Sequence, residues 1–117
     1  MAEKIYSCGF ELTMELIGGK WKGLILWHLY EYGTLRNGEA MRLIPGITQK
    51  MLTQQLREME HSGLVIRKVY EQVPPKVEYS LTTHGQKLKS ILEAMKEWGI
   101  EYAKDNGVHI ACNGGKK

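Results

Sequence analysis

Five side chains in the middle of this 117-residue sequence, Gln49, Lys50, Thr53, Gln54 and Arg57, combine hydrogen-bond donors, acceptors and positive charge at spacings of three and four. That spacing puts them on one face of a helix. No carboxylate interrupts the set before Glu58, so the face suits a partner that offers both hydrogen-bonding edges and negative charge. The plain alternative is a solvated helix surface. Further along, Arg67, Lys68 and Lys76 bring the stretch from Ile47 to Lys76 to five cations against Glu58, Glu60 and Glu71. Ordinary surface charge would look similar, but beside a polar helix face the excess fits contact with a polyanion.

Groups for covalent or metal chemistry are sparse. Asp105 is the only aspartate, and His28, His61, His84 and His109 are scattered with no pair at metal-ligand spacing and no Cys-x-x-Cys. Neither a Gly-rich phosphate loop nor a G-x-S-x-G motif is present, so the expectation is that the chain is not an enzyme and takes no cofactor or metal. Cys8 and Cys112 stand near opposite ends. Whether Cys8 is reactive or a packed, inert thiol depends on whether Lys4, Lys20 and Lys22 fold beside it.

The elements that must position the polar face follow from periodicity and breakers. Glu11 to Ile17 reads as a first helix stopped by Gly18-Gly19. A second helix starts near Lys20 and turns Trp21, Leu24, Ile25 and Leu29 to the core before Gly33. Asn37 to Leu43 is a short third helix closed by Pro45-Gly46. Thr48 is an N-cap for a fourth, running to about His61 ahead of Ser62-Gly63, with Met51, Leu52, Leu56 and Met59 on its inner side. After Gly63 the period changes to that of strands, over Leu64 to Glu71 and Val77 to Leu81, with Val77, Tyr79 and Leu81 alternating to one face. These two strands form a hairpin whose tip, Gln72 to Lys76, is stiffened by Pro74-Pro75. Thr82 or Thr83 then caps a long helix to about Lys104, along which Leu88, Ile91, Leu92, Met95, Trp98 and Tyr102 make an apolar stripe too long for one small domain to cover.

This order, three helices with a polar face on the last, a two-stranded wing and a long striped helix, is the layout of a winged helix-turn-helix in an α+β, mainly helical domain. An exposed helix of this kind can enter the roughly 12 Å wide major groove of DNA and meet base edges. The motifs sharpen the reading. Gly-Gly-Lys-Trp at 18–21, the run from Pro45 to Glu60, Gly-Leu-Val-Ile-Arg at 63–67 and Val73 to Thr82 together resemble the HxlR family of MarR-like transcriptional regulators, over about Cys8 to Gly99. The resemblance implies a homodimer held by the terminal helices, a DNA-reading helix beginning at Thr48, and a wing that touches the duplex. Cys8 stands where many members carry a cysteine, through which some sense oxidants or electrophiles. Asn37 departs from the pattern, since members often have an aromatic residue after the arginine matching Arg36.

The expected assignments are therefore specific. Thr48, Gln49, Lys50, Thr53, Gln54 and Arg57 contact base edges or phosphates, with Arg67, Lys68 and Lys76 on flanking backbone or minor groove. The stripe forms the dimer interface, and Cys8 is a candidate redox sensor. One domain spans 1–105, including a dimerisation helix at 83–105, with a mobile tail at 106–117. The partners are double-stranded DNA on an inverted repeat, a second copy, and a small-molecule or oxidant effector, for which Trp21, Trp27, Tyr30 and Trp98 are either pocket-lining or core. A winged helix turned to protein binding is the rival, disfavoured because the polar face has no aromatic or aliphatic anchor. The net charge of +3 leaves the partner open. Leu24 to Trp27, the longest apolar run, is far below the roughly 20 residues of a membrane span, and Met1 to Phe10 lacks a long apolar segment; the expected setting is the cytoplasm.

Overall fold

The computed structural model describes residues 4–111, and among them lie six helices and three strands: α1 (Gly9–Ile17), α2 (Lys22–Tyr32), β1 (Thr34–Leu35), α3 (Asn37–Leu43), α4 (Gln49–His61), β2 (Val65–Tyr70), β3 (Lys76–Leu81), α5 (Thr83–Gln86) and α6 (Lys89–Asn106). This is a winged helix-turn-helix with a long C-terminal helix. It falls into two compact units, one up to Lys87 and one from Leu88.

In the first unit α4 packs on α3 and β2, and α2 packs on α3 and β3. Ile25, Leu26, Leu29, Ile44, Leu52, Leu56 and Met59 are fully buried there. Two positions differ from the helical pattern expected of α2: Leu24 is exposed and Leu26 takes its place inside. The helix starts at Lys22, so Trp21 is its N-cap, itself buried.

The wing has a third strand. β1 pairs antiparallel with β3 (Thr34 with Ser80, Leu35 with Tyr79), giving the order β1-β3-β2. The β2–β3 ladder runs from Val65 opposite Leu81 to Tyr70 opposite Lys76, so Lys76 belongs to the strand and the connecting loop is 71–75. Alternation then sorts the sheet: Val65, Arg67, Val69, Val77, Tyr79 and Leu81 share one face, and Ile66, Lys68, Tyr70, Lys76, Glu78 and Ser80 the other. Tyr79, Leu81 and Val65 are buried on the first face.

The single long helix expected after the hairpin is in fact two. Thr82 caps the first turn by accepting from Gly85 N at 3.0 Å, and its hydroxyl donates to Gly63 O at 2.6 Å. A Cβ on Gly85 would sit 2.3 Å from the Leu64 carbonyl oxygen, so glycine alone permits this approach. Lys87 N then bonds back to His84 O, a three-residue link that tightens the turn before α6 begins.

The second unit is built on α6. Leu92 and Ala103 are buried, Leu88 is half-buried, and Ile91, Met95, Trp98 and Tyr102 are exposed, the Trp98 and Tyr102 rings stacked at 5.2 Å between centroids. α6 ends at Gly107, which takes the left-handed conformation at φ 68°. Of the expected tail, Asn106 closes the helix, while 112–117, with Cys112, lie outside the described residues.

Candidate nucleic-acid interface

α4 is set by its ends. Thr48 lies in extended backbone and its Oγ1 accepts from Met51 N at 3.1 Å, satisfying one of the amides that a helix start leaves free. At the other end Gly63 takes φ 82°, Leu64 N bonds to Met59 O and Gly63 N to Glu60 O, the paired closure of a Schellman motif. The chain can then leave as β2, so helix and wing are joined by a turn of only three residues, 62–64.

Leu52, Leu56 and Met59 hold the inner side of α4, with Met51 half-buried. Gln49, Lys50, Gln54 and Arg57 are exposed on the outer side and Thr53 is half-buried among them. No large hydrophobic side chain of α4 is exposed. Glu58, the first carboxylate on this helix, is tied to Lys22 of α2 at 2.8 Å and receives a 3.3 Å bond from Gln54. These two hydrogen bonds, the lysine's first, hold its carboxyl below the ordinary value of 4.5 and keep it charged but neutralised.

The basic residues of the wing divide between its faces. Arg67 shares the face of Tyr79 and lines a groove of about 780 Å³ between α4 and the sheet, with Thr53, Arg57, Glu60 and His61 along its helical wall. Lys68 and Lys76 lie on the opposite face, both over the Tyr70 ring, at 5.0 and 4.4 Å. Lys76 also reaches Glu78 at 3.5 Å. The structure thus brings Arg57 and Arg67 together and sets Lys68 and Lys76 apart from them.

Among the described residues, four contributors lie outside the expected set: Glu60, His61 and Tyr79 line the groove, and Asn37 joins Gln49. Glu60 and His61 continue the 53, 57 row of α4 by helical spacing and were within reach of sequence reasoning; Asn37 was not. Its Oδ1 accepts from Gln49 Nε2, which also donates to Thr53 Oγ1 at 3.2 Å. Only the packing of α3 on α4 makes neighbours of residues so far apart in the chain.

Cys8 is exposed at the N-cap of α1. The lysines considered for it are engaged elsewhere: Lys4 with Glu15 at 2.9 Å, Lys22 with Glu58, and Lys20 over the Trp21 ring at 4.7 Å. None of Trp21, Trp27, Tyr30 or Trp98 lines the α4–sheet groove; Trp27 and Tyr30 pack on each other at 5.5 Å. Among the described residues no three His, Cys, Asp or Glu side chains gather as a metal site, and no helix is long and apolar enough to cross a membrane.

Known proteins resemble this chain in sequence and fold. The family model for the HxlR-like helix-turn-helix matches residues 16–107. The HTH-type transcriptional regulator YkvN of Bacillus subtilis is 60% identical over 101 residues, 86% of this chain and 85% of its own. The solved structure of the redox regulator HypR in its reduced form superposes with a TM-score of 0.78 at 53% identity, over 84% of this chain and 95% of that one. Diamide-treated YodB from B. subtilis superposes at 0.65 with 35% identity, over 81% and 94%.

Proposed function

As the chain belongs to the HxlR-like helix-turn-helix family, whose members are transcriptional regulators, we propose that it is a cytoplasmic homodimer that reads an inverted-repeat operator in double-stranded DNA. The observation that carries this is the outer side of α4: a capped helix whose exposed residues from Thr48 to Arg57 are polar or cationic, whose Glu58 is paired with Lys22, and which has no apolar anchor for a protein partner. Thr48, Gln49, Lys50, Thr53 and Gln54 meet base edges and adjacent phosphates. Arg57 and Arg67 form a guanidinium pair for one stretch of backbone, and Lys68 and Lys76 on the other face of the wing meet a second. The exposed apolar side chains of α6, Ile91, Met95, Trp98 and Tyr102, pair with the same helix of a second copy, and Leu88 and Leu92 continue that stripe. Two reading helices then address successive major grooves about 34 Å apart.

Selection of bound fragments from a genomic pool at two salt concentrations, followed by anisotropy titration of the enriched sequence, tests this. An inverted repeat with steep salt dependence is the expected result, and Arg57→Ala should lower the log–log salt slope by about one. A dimeric protein that enriches no sequence at low salt would refute it.

The exposure of Cys8, and the HypR and YodB neighbours, support a second element: oxidation of this thiol alters DNA binding. Diamide should then weaken operator binding by the parent chain and leave a Cys8→Ser variant unchanged. Equal loss in both would clear Cys8 of the role.

A further inference from the structure

The contact between Asn37 and Gln49 constrains what the reading helix can recognise. Asn37 is the first residue of α3 and Gln49 the first of α4, so the two helix starts are linked side chain to side chain. A carboxamide nitrogen has two hydrogens. Gln49 spends one on Asn37 Oδ1 and the other on Thr53 Oγ1. Its Oε1 takes no hydrogen bond from any described residue, and the side chain is exposed. Glutamine left free would face a base with both groups and grip adenine through N6 and N7 together. Here the donor half is occupied.

We propose that Asn37 is a positioning residue that orients Gln49 so that it offers DNA an acceptor only. This rests on the DNA-reading function proposed above and adds its base preference. In the major groove an exposed acceptor pairs with the exocyclic amino group of adenine or cytosine, and faces the like-signed O6 of guanine or O4 of thymine. The operator therefore has one position per half-site that discriminates amino from keto bases and scarcely separates adenine from cytosine. Asn37 touches no base in this scheme. It acts through the orientation of Gln49, and Thr53 is the second fixed point.

The test is a panel of duplexes built on the selected operator, each half-site position replaced by all four base pairs, titrated against the parent, Asn37→Asp and Asn37→Ala. For the parent, adenine and cytosine at one position should bind within about threefold of each other and about tenfold above guanine and thymine. Aspartate can only accept, so Asn37→Asp should keep that pattern at lower overall affinity, its added negative charge acting on every duplex alike. Asn37→Ala frees an N–H of Gln49, and the pattern should change to adenine over cytosine by about tenfold. An Asn37→Ala variant with the parent's pattern, or an Asn37→Asp variant that matches Asn37→Ala, overturns the proposal. A second readout needs no DNA. The Gln49 side-chain amide signals in a nitrogen–proton NMR spectrum should shift in Asn37→Ala and stay near their parent position in Asn37→Asp. Unmoved signals in Asn37→Ala refute the orientation even if an operator is found, whereas parent protein that selects no sequence refutes the DNA reading itself.

Discussion

His28 carries on α2 a ring nitrogen, Nδ1, that is buried and has no hydrogen-bond partner among the described residues. Burial pushes its pKa below the ordinary imidazole value of 6.5, and the nearby charge of Glu31 offsets this only in part. Because the depressed value belongs to the folded state, the unfolded chain binds the proton first as pH falls. Stability from this group is therefore complete above about 6.5 and is lost as pH drops through the folded-state value. Denaturant midpoints measured at pH 7.5 and 5.5 should show a decline in the parent that is smaller in His28→Leu; an equal decline would mean that the ring is free to protonate in place. Glu58 is the converse case. The Lys22 ion pair keeps it ionised, and because the group is exposed its consequence lies in the local field of α4 rather than in stability.

At the scale of elements, the junction of α4, β2 and α5 is where the fold is least tolerant. Gly85 lies against the Leu64 carbonyl, and Thr82 bridges Gly63 O and Gly85 N. Gly85→Ala would force a methyl group into a backbone oxygen and should cost about 1–3 kcal/mol or more, read from thermal or denaturant unfolding. A loss below a few tenths would show that α5 can move off the 62–64 turn. This junction also marks the limit of what the sequence discloses. α3 and α4 are legible almost to the residue, because Pro45-Gly46, Thr48 and Gly63 are strong local punctuation. The break at Lys87 is not: periodicity runs through it undisturbed, and the Gly85–Leu64 approach beside it joins residues far apart in the chain. β1 is two residues long, too short for any period, and exists because β3 has a free edge. The polar face of α4 is legible from three-and-four spacing alone. The division of Arg67 from Lys68 and Lys76 needs the ladder register, and the Asn37–Gln49 link needs the packing of two helices.

At the scale of the molecule, the exposed side chains of α6 carry the proposed assembly. Trp98 is 66% exposed and Met95 59%, and with Ile91 and Tyr102 they group large apolar side chains on one helix face, the kind of patch that marks an interaction surface. Trp98→Glu should turn dimers into monomers in sedimentation velocity at micromolar concentration and weaken operator binding with them. Dimers that persist would move the interface to another surface, of which the exposed Phe10, Leu12 and Met14 of α1 are the next apolar choice. The stripe has a further bearing on gene dosage. When the unit that occupies a promoter is a pair, and pairing depends on one exposed helix, occupancy at low abundance follows the square of the number of chains. A cell that halves its supply of the protein then loses about three quarters of its occupancy rather than half. In the proposed dimer, operator occupancy at low abundance therefore falls more steeply than the number of chains.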